Sequence, residues 1–487
     1  MKLGKMSGVL SRIMLAVFLF ILIFPVLFRV LDIFSYKSYM AAFAVSAVIF
    51  AVYTLISRRV KVPESPGRAG SFRTGLVLGL ICFAVNLAWV LFFRVEPESD
   101  YLTFWNTAVD LAENQPLRGA QYVAMFPHIL GYSAFLSVFL RIFGESYMTA
   151  AVLNVFLTTA SGLIIYALCL RWADKRAAAG AFLLWILCPS KLFYNAMVIS
   201  EPYYTCLLLC FILIVSFLEE RADRAGILTF VLWGIPAAVA LAAVNTARPI
   251  AAIPIIAFII WLLLLRGEKL RCGAQWKKWL SFLAVLLVLY ALLGKLWNIY
   301  AGEKLGEEPS GTPGYSIYVG FNPDTMGSYS DTDMDRLQEY RFGVYGNAAE
   351  AQEKMLEEAE ERIKAGEVPV YRLFAEKLRT LLGNDEGGVY YSRNFMSGRM
   401  YSVLAVISNV FYYFTVMLAF SGTLRLWKRP EGSLLLVPLY AVGLGCAHML
   451  VEVAGRYHYS VIPMFIILSA LSFASGGGRE KPRLSEQ

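Results

Sequence analysis

Several acidic, basic and histidine side chains lie at the ends of long apolar runs, where they could form one polar site. Asp100 and Tyr101 follow a membrane-length apolar run in "LFFRVEPESDYLTFWN". The other candidates are His128 in "FPHIL", Glu201 in "VISEPYY", Arg248 in "NTARP", and Glu452, Arg456 and His458 in "VEVAGRYHY". Ionisable groups at membrane depth or at its face are costly, so they indicate a functional site. Carboxylates and arginines together suit a chemistry that handles phosphate and removes a proton.

Each of these residues also has an ordinary structural interpretation. A single charge at a helix end is often a solvated group that reaches the membrane surface on a long side chain. Aromatic residues such as Phe104 and Trp105 are common anchors at the membrane–water interface. Glu96 and Glu98 are predicted to be surface charges. The functional interpretation therefore depends on whether the fold brings distant residues to one face.

Composition places these residues in a polytopic membrane protein. Of the 487 residues, 58% are hydrophobic and only 16% are charged, which excludes an ordinary soluble domain. The first apolar run has a basic start and no small-residue cleavage site, so it is predicted to be a retained span. We predict an all-α fold with about twelve transmembrane helices, from apolar runs at 13–31, 39–57, 74–93, 147–170, 178–195, 202–218, 227–244, 249–265, 279–299, 403–426, 433–451 and 459–475.

The distribution of Lys and Arg decides the topology. One further apolar run, 127–143, could either span the membrane or lie in its surface. If it lies in the surface, the basic loops all face one side: 2–12, 58–73, 171–176, 219–224, 266–278, 425–429 and 479–483. The short loops on the other side hold Lys37, Arg94, Arg118, Arg141, Arg248 and Arg456. Because basic loops stay in the cytoplasm, we predict cytoplasmic termini and an interfacial helix at 127–143.

Two segments are predicted to lie outside the membrane, 94–146 and 300–400. The second has acidic turn chemistry in "SYSDTDMDR" and amphipathic helices near 347–365 and 369–382. "DTDMD" lacks the glycine and the final glutamate of a calcium-binding loop.

These segments divide the chain into five parts. The parts are two N-terminal spans with a basic loop (1–73), a core that includes the first external segment (74–299), the external segment 300–400, C-terminal spans (401–475) and a cytoplasmic tail (476–487). Six of the seven cysteines lie in apolar runs and Cys272 lies in a basic loop, so neither a disulfide in the external segment nor a zinc site is predicted. The net charge of +8 sits in loops between spans and does not indicate a nucleic-acid partner.

The order of these pieces resembles the GT-C superfamily of integral-membrane glycosyltransferases. The matching pieces lie within 74–265: an outer-loop acid in "ESDY", an aromatic helix, "FPHILGYSAFLSVFLRIFGESYMTAAVLN", "LCPSKLFYNAMVISEPYY" and "NTARP". They are similar to dolichyl- or polyprenyl-phosphate sugar transferases related to protein O-mannosyltransferases (glycosyltransferase family 39), and "SEPYY" and "TARP" also resemble mannosyltransferases of glycolipid-anchor assembly. Many relatives carry two adjacent acids where this chain has Ser99 and Asp100, and two extra spans precede the core here.

The resemblance implies an inverting transfer of a sugar, of hexosyl or mannosyl type, from a polyprenyl-phosphate donor to an acceptor on the external face. Asp100 is the candidate general base, and Glu201 is the second catalytic candidate, which would orient hydroxyl groups. Arg248 or Arg456 would bind the leaving phosphate. Tyr101, His128 and His458 complete the predicted substrate-binding set.

No metal or other cofactor is implied by the resemblance, because the lipid-linked sugar phosphate is itself the donor. The implied partners are the lipid bilayer, this donor, and a glycan, lipid or protein acceptor. The basic, cysteine-poor chain with short cytoplasmic loops indicates a bacterial plasma membrane.

Three other functions stay open: a transporter or flippase, a polymer ligase of cell-envelope glycans, and a non-catalytic assembly protein. Charges near the membrane midplane and broken helices in paired halves would favour a transporter. Here the polar groups are predicted at one surface, and no convincing inverted repeat is visible. For a transferase we expect Asp100, Glu201 and Arg248 around one outward cavity rather than along a channel.

Overall fold

The computed structural model describes residues 2–32, 37–59, 68–266, 274–366, 369–430 and 432–474, and every regular element in these ranges is helical. The first part of the chain forms α1 (Lys2–Val30), α2 (Lys37–Arg59), α3 (Arg68–Phe92), α4 (Asp100–Glu113), α5 (Ala120–Met125), α6 (His128–Phe143), α7 (Tyr147–Trp172), α8 (Lys175–Leu187), α9 (Pro189–Asn195), α10 (Glu201–Arg221), α11 (Ile227–Ala247) and α12 (Ala252–Ile260), with a π-helical turn at Trp261–Leu265.

The second part forms α13 (Ala274–Leu305), α14 (Gly314–Gly320), α15 (Asp331–Gln338), α16 (Ala348–Lys364), α17 (Val370–Leu382), α18 (Gly387–Tyr391), α19 (Gly398–Lys428), α20 (Leu436–Leu450) and α21 (Ile462–Phe473). A π-helical turn follows α15 at Glu339–Val344, and 3-10 turns lie at Arg393–Phe395, Ser433–Leu435 and Gly455–Val461. The predicted tail 476–487 and Cys272 lie outside the described residues.

The long apolar helices confirm an all-α, multi-pass membrane protein. Within the described ranges nine helices are long and apolar enough to cross a membrane: α1, α2, α3, α7, α10, α11, α13, α19 and α20. The pair α8 and α9 would make a tenth span, bent by 56° where Pro189 opens α9, because proline cannot continue the hydrogen-bond ladder of α8. Since α12 and α21 are shorter than a usual span, the total of twelve stays a prediction.

The interfacial helix predicted at 127–143 is α6, which runs parallel to α4. Ser133 Oγ in α6 donates a hydrogen bond of 2.8 Å to the Phe104 carbonyl in α4. Gly131 packs directly on the backbone of Thr246 at the end of α11. The predicted aromatic face of α4 is buried: Tyr101, Phe104, Trp105, Ala108 and Leu111. The pair α4 and α6 therefore packs as one unit, with α6 against the end of α11.

The two N-terminal spans pack against the C-terminal part of the chain. Ser46 Oγ in α2 donates to the Val410 carbonyl in α19 at 2.8 Å, and the Tyr53 hydroxyl donates to the Ser472 carbonyl at 3.3 Å. Helix α1 contacts α17, α19 and α20. The two N-terminal spans thus pack against the C-terminal helices.

The external segment contains the two amphipathic helices that the sequence predicted. Helix α16 covers 348–364 and α17 covers 370–382, against predicted bounds of 347–365 and 369–382. The predicted turn in "SYSDTDMDR" is wrong, because residues 331–338 form helix α15. Ser330 caps this helix by accepting a hydrogen bond of 3.2 Å from the Asp333 amide, so the acidic residues lie in its first turn, where the helix dipole favours them.

The external segment also fixes the loop that follows α20. The contacts are Glu452 N to Ser316 O at 2.7 Å, Val453 N to Gly327 O at 2.9 Å, and Lys377 Nζ to Met449 O at 3.0 Å and to Gly320 O at 2.8 Å. Lys377 is fully buried, and this burial lowers the pKa of its amine to about 7, although Glu452 raises it. Backbone and side-chain hydrogen bonds with the segment 300–400 therefore fix the position of residues 449–453.

Candidate functional site

The predicted residues meet around Arg456, in the 3-10 turn before α21. Arg456 Nη2 donates to Asp100 Oδ2 at 2.9 Å, and Nη1 donates to the Tyr101 hydroxyl at 3.0 Å. Asp100 opens α4 directly after Ser99, whose φ of 51° is uncommon for a serine and turns the chain into the helix. The Asp100 side chain is 42% exposed and that of Arg456 is 16% exposed. An accessible carboxylate is thus paired with a largely enclosed guanidinium.

Arg248 reaches the same place from the end of α11. Its guanidinium carbon lies 4.0 Å from the ring centre of Tyr457, and that of Arg456 lies 5.5 Å from the same ring. Burial lowers the pKa of Arg248, but neighbouring Tyr457, Tyr204 and Glu201 raise it, and the net shift is upward. Arg248 therefore stays a cation.

Glu452 lies beside both arginines, in the loop after α20. Its Oε1 accepts a hydrogen bond of 3.3 Å from the Tyr457 hydroxyl. Burial raises the pKa of the Glu452 carboxyl, Arg456 and Arg248 lower it, and Asp100 raises it, with a net shift upward. No ion pair within 4.0 Å of Glu452 is found in the described part of the chain. The Glu452 carboxylate therefore keeps acceptor positions that no ion pair among the described residues occupies.

His128 opens α6 on another side of the cluster, near the rings of Phe104 and Phe126. Burial lowers the pKa of His128 to about 3, with Arg248 also lowering it and Asp100 raising it. The imidazole is consequently neutral at pH 7, so it can donate one hydrogen bond and accept another without adding a charge to the site.

Glu201 is the enclosed carboxylate of the group. It occupies the first position of α10 and is only 2% exposed. It is nevertheless close enough to Arg248 to raise the pKa of that guanidinium. Tyr203, two residues further along α10, stacks on Phe135 of α6 at a ring distance of 4.0 Å. Helix α6 therefore packs against this end of α10.

His458 lies in a separate buried pair. Its Nε2 is 3.1 Å from Asp385 Oδ1, and both side chains are almost fully enclosed. The amide of Asp385 donates to Asn409 Oδ1 in α19 at 3.0 Å, and the Ser408 hydroxyl donates to the carbonyl of Asp385. The structure thus places His458 in a contact between α19 and the external segment, and its predicted role in substrate binding stays a prediction.

The site reaches the surface of the described structure. Asp100, His128, Arg248, Glu452 and Arg456 are all partly exposed. Two cavities lie away from this group, one of about 430 Å³ beside Phe28, Asp32 and Arg379, and one of about 340 Å³ at the start of α19. We call this partly exposed group of residues the recess, and an outward cavity around Asp100, Glu201 and Arg248 stays a prediction.

The sequence did not assign roles to three residues of the recess. The sequence indicates Glu452 only as one more outer charge, and it indicates no role for Tyr457 or Tyr391. Tyr391, in α18, lies 5.8 Å from the Tyr101 ring and 5.5 Å from the Arg456 guanidinium. The signal for Glu452 and Tyr457 is present in "VEVAGRYHY", because both flank Arg456 within five positions.

The recess can bind an anion and accept a proton. Two guanidiniums offer paired donors, which match the oxygens of a phosphate better than a single ammonium does. Three carboxylates in different environments surround them, and these environments separate their acid–base roles. Within the described ranges, no group of three or more His, Cys, Asp or Glu side chains could hold a metal ion.

Comparison with known proteins gives structural neighbours without sequence relatives. A scan against protein-family models finds no match, and no curated protein sequence matches the chain. One neighbour is the oligosaccharyltransferase AglB of Archaeoglobus fulgidus, in complex with an inhibitory peptide and a dolichol-phosphate, with 12% identity and a TM-score of 0.48. The alignment covers 82% of this chain and 50% of AglB, so the chain spans about half the length of that protein.

A second neighbour is ArnT of Cupriavidus metallidurans bound to undecaprenyl phosphate. Its identity is 12%, its TM-score is 0.38, and the alignment covers 84% of this chain and 78% of ArnT. Both neighbours are similar in structure only, and the resemblance to integral-membrane glycosyltransferases drawn from the sequence stays a prediction. Membership of the O-mannosyltransferase-like group stays a prediction.

Proposed function

We propose that this chain is an integral-membrane glycosyltransferase, which moves a sugar from a polyprenyl-phosphate donor to an acceptor on the external face and inverts the anomeric carbon. The observation that supports it is the meeting of Arg248, Arg456, Asp100 and Glu452 in one recess at the ends of the spans. These residues come from three distant parts of the chain. The two arginines can stabilise negative charge on a leaving phosphate, and the carboxylates beside them can accept a proton.

The position of the recess suits a lipid-linked donor. The isoprenoid tail stays in the bilayer, and the phosphate lies at the membrane surface, where Arg248 and Arg456 bind it. Negative charge grows on the phosphate as the bond to the sugar breaks, and fixed guanidiniums stabilise that charge in the transition state. Neutral His128 and enclosed Glu201 orient sugar hydroxyls without competing for the phosphate.

The finer parts of the proposal follow the sequence resemblance. The sugar is a hexose, of mannosyl type, and the acceptor is a glycan, a lipid or a protein. The enzyme lies in a bacterial plasma membrane with both termini in the cytoplasm, and it uses neither a metal nor another cofactor. Addition of EDTA should accordingly leave turnover unchanged.

The direct test offers the purified protein, in lipid nanodiscs, a panel of radiolabelled undecaprenyl-phosphate sugars together with membrane extract. We expect the label to move from one donor to an extract component, with release of undecaprenyl phosphate. The double variant Arg248→Ala, Arg456→Ala should lose about 100-fold or more of the rate, the usual scale for removing such charge stabilisation. Arg372→Ala is the matched control, because Arg372 is an exposed arginine on α17.

The rival function, a transporter or flippase, gives a different result in sealed vesicles. A transporter carries the intact lipid-linked sugar across the bilayer without cleaving the sugar–phosphate bond. Transbilayer movement of uncleaved donor, with no release of undecaprenyl phosphate, would contradict the proposal.

A further inference from the structure

We propose that Glu452 is the general base that removes the proton of the acceptor hydroxyl, while Asp100 positions Arg456 for the donor phosphate. This inference rests on the proposed function and reassigns the base that the sequence placed at Asp100 or Glu201. The three carboxylates differ in access, in partners and in how firmly the fold holds them, and these differences carry the argument.

Asp100 is accessible but already engaged. Its Oδ2 accepts a hydrogen bond from Arg456 at 2.9 Å, and the guanidinium is held at its other end by the Tyr101 hydroxyl at 3.0 Å. Protonation of Asp100 would break this charge-assisted pair and release the arginine in the same step in which the phosphate needs it. Asp100 is therefore suited to orient Arg456.

Glu201 is too enclosed to receive an acceptor from water. Only 2% of it is exposed, at the first turn of α10, and α6 packs against the same turn through the contact of Phe135 with Tyr203. Glu201 can act on groups already bound in the recess, such as hydroxyls of the donor sugar.

Glu452 combines access with a free acceptor position. It is partly exposed, and the described structure gives its carboxylate one hydrogen bond, the 3.3 Å contact from Tyr457. Its backbone is fixed by Ser316 and the next residue by Gly327, so the carboxylate has a defined position beside both arginines. A base works best when its pKa approaches the working pH, and the upward shift in the pKa of Glu452 agrees with that role.

The step balances without a further reactant. The acceptor oxygen forms its bond to the anomeric carbon as the carbon–oxygen bond to the phosphate breaks. The electron pair of that bond leaves with the phosphate, which Arg248 and Arg456 bind. The acceptor proton passes to a carboxylate oxygen of Glu452 and then to water.

The test compares steady-state kinetics of Glu452→Gln, Glu452→Asp and Asp100→Asn with the donor that wild-type protein turns over in the nanodisc assay. In Glu452→Gln we expect kcat to fall by about 100-fold or more, while the donor KM and the amount of radiolabelled donor bound change little. Glu452→Asp should recover at least about 10-fold of that loss, because a carboxylate remains. Asp100→Asn should mainly raise the donor KM, by about 10-fold, because Arg456 loses its ionic partner. Glu353→Gln, at an exposed position of α16, is the matched control.

Three results would overturn the assignment. The first is near-normal kcat in Glu452→Gln with a 100-fold loss in Asp100→Asn at saturating donor. The second is an equal loss in Glu452→Gln and Glu452→Asp with donor binding intact, which would show a structural role. The third is loss of donor binding in Glu452→Gln while its unfolding temperature is unchanged, which would place Glu452 in donor binding. Failure of wild-type protein to turn over any donor would instead contradict the proposed function itself.

Discussion

At the scale of single residues, Arg456 holds the site together. Its guanidinium donates to Asp100 and Tyr101, and it lies 5.5 Å from the ring centres of Tyr101, Tyr391 and Tyr457. These partners come from the first external segment, from α18 and from its own turn. The arginine therefore both presents donors to a ligand and joins three separate pieces of chain.

Replacement of Arg456 by lysine tests the need for paired donors. Lysine keeps the positive charge but has one compact ammonium, which cannot hold Asp100 and Tyr101 and bind a phosphate in the same geometry. We expect Arg456→Lys to raise the donor KM by about 10-fold or more, and Arg456→Ala to raise it further. Titration of the donor in the nanodisc assay measures this.

The exposed Arg372 is again the control, and Arg372→Lys should leave the donor KM unchanged. A normal donor KM in Arg456→Lys would show that charge alone is needed there. The same comparison at Arg248, which stacks on Tyr457, shows whether one arginine or both bind the phosphate.

At the scale of elements, the docking of α6 on α11 decides where the recess forms. A Cβ atom on Gly131 would lie 2.0 Å from the Thr246 carbonyl oxygen, which is backbone and cannot swing aside. Gly131→Ala should therefore destabilise the protein by about 1–3 kcal/mol, although alanine is normally the better helix former. Thermal unfolding in detergent measures the change.

Gly294 in α13 is the matched helical control, because no neighbouring atom lies within 4 Å of its added Cβ. Gly294→Ala should be neutral or should stabilise by up to about 1 kcal/mol. Equal effects of the two substitutions would contradict the close approach of α6 and α11.

The sequence predicts elements well where one physical rule dominates. The aromatic stripe of α4 and the charge pattern of α16 have helical periodicity, and both helices are present. The composition of "SYSDTDMDR" predicts a turn, but the Ser330 cap and the burial of Asp333 favour a helix from residue 331 onward. The bend between α8 and α9 follows from Pro189, yet the hydropathy of 178–195 is continuous and hides it.

At the scale of the whole molecule, topology determines which charges share one face. Cysteines introduced at Glu357 and at Arg224 of a cysteine-free background test it, because both positions are exposed and lie on opposite predicted sides. A membrane-impermeant thiol reagent should label Glu357→Cys in intact cells and Arg224→Cys only after permeabilisation. Labelling in the reverse order would contradict the topology and the external position of the recess.

The sequence predicts how deep the site residues lie along the membrane normal, but it does not predict their arrangement in the plane of the membrane. Apolar runs and basic loops put Asp100, Glu201, Arg248 and Arg456 at one surface, yet they do not say which helix ends are neighbours. The lateral arrangement depends on packing, such as that of α2 on α19, which no local pattern encodes. For this reason the contact of Asp100 with Arg456 and the separate position of His458 become visible only in the fold.

The pairing of Asp100 with Arg456 has a consequence for biosynthesis. The two residues are 356 positions apart, and at about 5–20 residues per second the ribosome needs tens of seconds to make the chain between them. During that time the surface helices and most spans can insert, but the recess lacks its central arginine and the loop that carries Glu452. Under the proposed function, a nascent chain without these residues would neither bind the donor phosphate nor take up the acceptor proton, so activity would begin only after residues 452–456 are made.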